Sequence, residues 1–479
     1  MDLAKEKDTK KRIVVLGGGF AGIYAAMELD RRLGRQTDVS ITMVDRNNFF
    51  LFTPMLHEVA ASDLDVTSIV SPIRQLLHHS TFLQGAVTAI DLDKKQVKIS
   101  HCGGEEENII EFDYLLLALG AQSNFYNLPG LQENAMTMQS LRDAMELRNA
   151  MIQSLEEAEI DAFTKSSEPL LTYVVAGGGF AGVETVAAMN DFIRESLQFY
   201  PHLHEDMVRV VLVHDQHTLL PEIGEDLGIY AQKKLSERKV EFKMDVKVTG
   251  YSKRGVELAD GTAVKAVLFV WTAGISPNAI VRTLPCKIER GKVAANEFME
   301  VPGYPFLWAC GDCAYILDPA TGKPYPPTAQ HASRMGKMVA RNIEATIRGG
   351  NKEAFVYKSV GALAAIGRRS GVANVMGYKF SGFLAWMMWR VIYLAKLPRL
   401  EKKIRVAVEW TMDLLFPKDM VQFMSLHAPL VQNERISHEP VVVPVESAPP
   451  DMKDEASKAP NGPAVEKKEA ELVEADAAR

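Results

Sequence analysis

Two glycine clusters carry the clearest chemistry in this chain. Gly17, Gly19 and Gly22 lie in IVVLGGGFAG, residues 13 to 22. Gly177, Gly179 and Gly182 lie in YVVAGGGFAG, residues 173 to 182. Each cluster follows a β-branched, apolar run and opens an apolar, helix-forming stretch. A buried strand that turns sharply into a helix favours a first glycine. A second, lacking Cβ, lets a pyrophosphate approach the backbone. A third lets helix and strand pack closely, and the phosphate meets the free N–H groups of the helix N-terminus. One copy is also what an ordinary strand-to-helix turn looks like. Two near-identical copies in strand–turn–helix context imply two dinucleotide sites. A flavoprotein that takes hydride from a nicotinamide needs two.

Other residues fall at the positions such sites use. Asp45 ends VSITMVD, where an acid can accept hydrogen bonds from ribose hydroxyls. The corresponding end of VRVVLVHD offers His214 and Asp215, with no Arg or Lys for several residues after them. A 2′-phosphate would find little positive charge there, which favours NADH over NADPH. Val183-Glu184 follows the second glycine cluster, so Glu184 is expected in the first helical turn. It is either a group beside the second nucleotide or a carboxylate favoured by the helix N-terminus. Two strands exit through small residues, Ala118-Leu119-Gly120 and Thr272-Ala273-Gly274. Gly311-Asp312 ends a third strand, where an acid could hold a ribityl or pyrophosphate group. Cys310 and Cys313 bracket it; the spacing can be a redox pair, but two small buried residues are the favoured reading. Gln330 and His331 lie in the first turn of a helix whose N-terminus could face a flavin ring. His57, in the apolar segment 47–60, reads as structural.

The elements that position these residues repeat. Residues 11–45 form a β-α-β unit, and residues 171–290 repeat the scheme as far as the second small-residue exit. Hairpins are expected at GAVTAIDLDKKQVKIS and at VKVTGYSKRGVELADGTAV, the latter turning at Asp260-Gly261. SLRDAMELRNAMIQSLEEAEI reads as an amphipathic helix covering the sheet. Residues 380–416 hold three of the five tryptophans, interleaved with Arg and Lys across two helices joined near Pro398. That pattern suits helices lying in a membrane interface. From His438 onward the composition turns to Pro, Ala, Glu and Lys, which reads as a disordered tail.

Composition sets the outer limits. A net charge of −7 argues against general nucleic-acid binding. Four cysteines in 479 residues are no disulfide framework, so a reducing compartment is expected. The charged start, MDLAKEKDTKKR, reads as no secretory signal. The absence of an uncharged apolar run of ~20 residues predicts no spanning helix.

Together these residues resemble the two-dinucleotide-binding-domain flavoproteins of pyridine nucleotide-disulfide oxidoreductase type. Within them the chain is similar to the type II NADH:quinone oxidoreductases, single-subunit, non-pumping respiratory dehydrogenases. The resemblance rests on GGGFAGVE around Glu184, LLPEIG at 219–224, PPTAQHA at 326–332 and FSGFLAWMMW at 380–389, and covers roughly residues 11–425. It implies an α/β fold of two Rossmann-like, glutathione reductase-like domains plus an amphipathic, membrane-docking C-terminal region. The implied FAD domain is discontinuous, 11–125 and 295–345. The NADH domain is 165–290, the membrane-associating region 346–435 and the tail 436–479.

The resemblance also implies the site. FAD would lie against Gly17, Gly19, Phe20, Ala21, Gly22, Asp45, Arg46, Thr53, Val87, Ala118, Gly120, Asp312, Ala329 and Gln330. NADH, as substrate, would lie against Gly177, Gly179, Phe180, Ala181, Gly182, Glu184, Asp215, Ala273 and Gly274. Glu184 and Gln330 are the implied catalytic residues, and Gln330 and Arg334 border the quinone. No metal is implied. Two departures stand out: Arg334 replaces the family's second Gln, and His214 with Asp215 replaces its ribose-binding Glu. A homodimer and a peripheral place on the cytoplasmic face of the cell membrane are further implications. A disulfide reductase would need a working dithiol, and the one close cysteine pair overlaps Gly311-Asp312. A sulfide:quinone oxidoreductase would need widely spaced cysteines that are not evident. A signalling flavoprotein would use the aromatic–basic helices to bind protein.

Overall fold

In the computed structural model, which describes residues 10–101, 106–165 and 170–423, the apolar run Ile13–Leu16 is buried in β1 (Lys11–Leu16). The chain leaves β1 through Gly17 into α1 (Phe20–Leu33) and returns in β2 (Val39–Asp45), parallel to β1. A short turn at Thr53–Met55 leads into α2 (Leu56–Ala60). β3 (Thr81–Gln84) joins β2, and β4 (Tyr114–Leu117) joins the other side of β1, both in parallel. Continuous Val, Ile and Leu runs fit these strands because parallel sheets are covered on both faces. α3 (Leu141–Thr164) follows, opened by a capping box between Ser140 and Asp143.

The second unit repeats the first. β5 (Leu171–Ala176) turns through Gly177 into α4 (Phe180–Ser196). β6 (Val208–Val213), β7 (Val240–Lys243) and β8 (Leu268–Trp271) complete a parallel sheet. Its strand order, β8-β5-β6-β7, is the order β4-β1-β2-β3 of the first sheet. The chain then crosses back: β9 (Leu307–Ala309) adds to the β4 edge of the first sheet. α5 (Ala329–Arg348) packs closely along α1, since a Cβ on Gly336 would stand 2.2 Å from the Ala21 carbonyl oxygen.

Beyond α5 lies a sheet that the sequence analysis did not name. β10 (Gly361–Ala365), β11 (Gly371–Val375) and β12 (Tyr378–Gly382) form an antiparallel meander. Met376 and Gly377, both with positive φ, make the two-residue turn between the last two strands. α6 (Phe383–Lys396) and α7 (Leu400–Leu415) follow as the expected helical pair around Pro398. No described helix is long and apolar enough to cross a membrane. The chain start and the expected tail lie outside the described residues.

One expectation is corrected. Glu184 is not in the first turn of its helix: α4 begins at Phe180, and the Val183 amide already bonds the Gly179 carbonyl. The helix terminus therefore does not account for Glu184.

Candidate nucleotide and proton-transfer site

The two glycine turns have the same geometry. Gly17 and Gly177 take φ of +105° and +117°, which other residues rarely adopt. A Cβ on Gly22 or Gly182 would stand 1.8 Å from the carbonyl oxygen of Gly17 or Gly177. Gly19 and Gly179 differ from both pairs. Among the described residues nothing lies within 4 Å of where their Cβ would be, and their φ values, −73° and −78°, are ordinary. The close-packing glycines thus serve the fold, while the middle pair leaves room above a helix N-terminus. Neither helix start has a side-chain cap, so its first amides remain available to an anion. Phe20 and Ala21, and Phe180 and Ala181, are the opening residues of those two starts. The turns fit two pyrophosphates.

The strand ends beside the two turns differ in chemistry. Asp45 accepts the amides of Gly18 (2.5 Å) and Asn47 (2.7 Å), and burial raises its carboxyl above the ordinary range. His214 takes the matching place, its Nδ1 accepting the Gly178 amide at 3.1 Å. Burial lowers the His214 pKa, and its Nε2 is buried without a protein partner. Asp215, next along, is half exposed. Arg46 follows Asp45 and gives its carbonyl to the Gln84 amide.

The two small-residue exits are brought together. Ala121–Ser123, just past Ala118 and Gly120, pairs antiparallel with Ile275–Pro277, just past Ala273 and Gly274. Gly311 has φ +72°, and its missing Cβ would stand 2.9 Å from that of Ala21. Asp312 and Thr328, the N-cap residue of α5, line one cleft with Lys292 and His331. Burial raises the Asp312 carboxyl. Cys310 and Cys313 are buried free thiols. Cys313 donates to the Cys310 carbonyl (3.4 Å), and burial pushes it to about 11. A reactive dithiol needs an accessible, low-pKa thiolate, so this pair is structural.

Ala329 and Gln330 begin α5. The Gln330 amide is engaged at both ends: Oε1 accepts from the Tyr357 hydroxyl and the Val360 amide (3.2 Å), and Nε2 donates to the Gly361 carbonyl (3.2 Å). Arg334 donates to the Gln330 carbonyl at 3.0 Å, and its guanidinium lies 4.2 Å from the centre of the Tyr357 ring. Aromatic rings run from Phe20 to Phe52 (5.7 Å), Phe52 to Tyr393 (6.2 Å) and Tyr393 to Trp389 (4.8 Å). They connect the first glycine helix to α6. Thr53 opens the turn before α2, and Val87 lies at the register shift of the Ala86–Asp91 hairpin strand.

Glu184 ends this aromatic run. It is buried, with 8% of its surface exposed. Its Oε1 accepts the Ala365 amide of β10 (3.1 Å) and the Trp389 indole of α6 (3.0 Å). Its Oε2 lies 3.8 Å from His57 Nδ1. Burial pushes the Glu184 pKa up to about 8 and the His57 pKa down to about 3. At neutral pH Glu184 therefore holds a proton and His57 is neutral. With both N–H donors on Oε1, the proton belongs on Oε2. Sequence reasoning named Glu184 but not its partners. Ala365 and Trp389 are 181 and 205 residues away, and no local pattern announces such contacts.

Residues 11–336 match the pyridine nucleotide-disulphide oxidoreductase family, and residues 360–419 match the NDH2 C-terminal domain. The chain is 31% identical over 422 residues to the type II NADH:quinone oxidoreductase of Mycobacterium tuberculosis, covering 85% of this chain and 88% of that one. It is 28% identical over 388 residues to the type II NADH:quinone oxidoreductase of Staphylococcus aureus, covering 80% and 94%. NDH2 of Plasmodium falciparum, solved in complex with NADH, shares the fold: TM-score 0.78, 19% identity, 86% of this chain and 100% of that one.

Proposed function

This chain belongs to the type II NADH:quinone oxidoreductases of the pyridine nucleotide-disulphide oxidoreductase family, and on that premise we propose that it reduces a membrane quinone with NADH through FAD, without pumping protons. The balanced reaction is NADH + H⁺ + quinone → NAD⁺ + quinol. Bound FAD supplies the redox chemistry, accepting hydride from the nicotinamide and returning two electrons to the quinone.

The chain's own residues position the reactants and manage the proton. The open space above Gly19 takes the FAD pyrophosphate and that above Gly179 the NADH pyrophosphate. Asp45 and Asp312 would hold the sugar and ribityl hydroxyls of FAD. His214 meets the adenosine ribose of NADH, and Ala273 and Gly274 border the nicotinamide half. With FAD bound, the N-terminus of α5 at Ala329 and Gln330 would lie at the flavin end. Gln330, locked by Tyr357 and Gly361, forms a fixed wall, and Arg334 offers a cation on the quinone side. The apolar run Phe20–Phe52–Tyr393 keeps water from the reacting region. Glu184 Oε2 holds the proton that NADH does not supply and releases it toward the quinone. The exposed faces of α6 and α7 lie on the membrane, on the side from which NADH is supplied.

The observation that carries this reading is the pair of equivalent glycine turns whose strand exits meet at Ala121–Ser123 and Ile275–Pro277. That pairing gives two nucleotide sites one shared wall. The test is steady-state NADH-dependent reduction of a short-chain quinone by the purified holoprotein. Glu184→Gln keeps the shape and removes the transferable proton. It is expected to lower quinone turnover about 100-fold while flavin content is retained. Undiminished turnover in Glu184→Gln would remove Glu184 from the mechanism.

A further inference from the structure

Each helix of the C-terminal pair offers one indole N–H to one buried carboxyl. Trp389 on α6 donates to Glu184 Oε1 at 3.0 Å. Trp410 on α7 donates to Glu58, its Nε1 lying 3.2 and 3.1 Å from the two carboxyl oxygens. The two rings lie 6.3 Å apart, and Trp389 also meets the His57 ring at 5.5 Å. Arg390 stacks over Trp410 at 4.7 Å and over Trp386 at 4.1 Å. Both indoles are buried, while Leu384, Met387 and Val391 are exposed on the same helix as Trp389.

We propose that Trp389 is a positioning residue for quinone reduction: its indole N–H, with the Ala365 amide, holds Glu184 Oε1 so that the proton is carried on Oε2. The inference rests on the reading of Glu184 as the proton-holding group. The groups that face Glu184 are His57 from α2, Trp389 and Tyr393 from α6, and the Ala365 amide from β10. Neutral His57 and Tyr393 bring no charge to the carboxyl at neutral pH. What opposes burial is then the two N–H donors, both of which favour the carboxylate. Trp389 is the one a substitution can remove without touching the main chain. It also makes the lipid-facing helix and the proton-holding carboxyl one packed unit.

The experiment is the pH dependence of quinone turnover between pH 6 and 10 for the wild-type holoprotein, Glu184→Gln, Trp389→Phe and Trp410→Phe. The wild type is expected to lose activity with a midpoint near pH 8 (about 8 for Glu184), and Glu184→Gln to lose that limb. Trp389→Phe keeps a ring and loses the donor, so the limb is expected to move up by about one pH unit. Trp410→Phe loosens the same hairpin without touching Glu184 and is expected to leave the limb in place. A limb in Trp389→Phe within about 0.3 unit of wild type, while Glu184→Gln still removes it, overturns the role of Trp389 alone. A limb that persists in Glu184→Gln overturns the reading of Glu184 itself. A second measurement needs no Trp variant. In holoprotein labelled with 5-fluorotryptophan, the Trp389 ¹⁹F resonance is expected to titrate with the activity midpoint and to stop titrating in Glu184→Gln, while that of Trp410, bonded to Glu58, keeps its own titration. No such resonance also overturns the inference.

Discussion

Gly19 and Gly179 are positions where an added methyl group would meet open space among the described residues and, under the proposed function, a pyrophosphate. Their ordinary φ values add no strain. Gly19→Ala is therefore expected to keep native far-UV circular dichroism while losing FAD. Gly179→Ala is expected to keep FAD and raise the KM for NADH at least about tenfold, the effect of ~1.4 kcal/mol. Gly22→Ala and Gly182→Ala, whose Cβ atoms would strike carbonyl oxygens at 1.8 Å, are expected to fold poorly instead. The packing role of Gly22 and Gly182 was legible in the sequence, because motif spacing alone separates them from Gly19 and Gly179. Asp45 was legible for the same reason, since it ends the strand after the first turn. The second ribose position was less so. His214 accepts the Gly178 amide as Asp45 accepts that of Gly18, an equivalence visible only once the two sheets are superposed in register. The setting of Glu184 was least legible, because its donors come from a sheet and a helix far along the chain.

At the scale of elements, α2 is the short piece that joins the glycine units to the C-terminal hairpin. Its His57 turns toward Glu184, and its Glu58 turns toward Trp410. Glu58 is buried near Asp63, Asp413 and Arg390, and burial pushes its pKa up to about 8. The unfolded chain releases that proton near the ordinary glutamate value, so between about pH 4.5 and pH 8 only the folded state retains it. Folding stability therefore falls as pH rises through this window and levels off above it. Glu58→Gln removes the share of that slope due to Glu58 and leaves the share of Glu184. Its folding free energy, relative to wild type, is expected to become more favourable from pH 5 to pH 9, by an amount on the order of a few kcal/mol, read from denaturant unfolding at each pH. A difference that stays constant with pH would mean that Glu58 is not neutral in the fold. Segment 47–60, interrupted by Pro54, reads in the sequence as a loop or a short helix start; the structure places a short paired strand, Phe49–Leu51, ahead of the Thr53–Met55 turn and α2. No sequence signal announced β10–β12: the strands are short and rich in Gly and Ala, and their Met376-Gly377 turn lacks the Asn or Asp that marks such turns. Yet β10 supplies the Ala365 amide to Glu184 and the Gly361 carbonyl to Gln330.

At the scale of the whole molecule, the proposed function gives the duplicated sheets the nucleotides and the hairpin the membrane surface. Leu384, Val391, Ile404 and Val408 are each 55–58% exposed, on the sides of α6 and α7 away from Trp389 and Trp410. Lipid is the occupant proposed for this double stripe, with Lys403 and Arg405 beside it. One substitution leaves most of the apolar area in place, so the informative variant changes several residues. Leu384→Glu/Val391→Glu/Ile404→Glu, all at exposed positions, is expected to keep FAD and NADH binding and to lose association with phospholipid vesicles in a flotation assay. Retained flotation would assign the stripe to another partner. The aromatic and basic composition of residues 380–416 made the hairpin legible, but not that Trp389 and Trp410 face inward to hold carboxyls. The most direct test of the whole account is anaerobic. Purified holoprotein in mild detergent is given NADH and then a short-chain quinone, and its flavin absorbance is followed. The account predicts bleaching by NADH and full recovery with quinone. A flavin that NADH does not bleach, or that quinone does not restore, would contradict it.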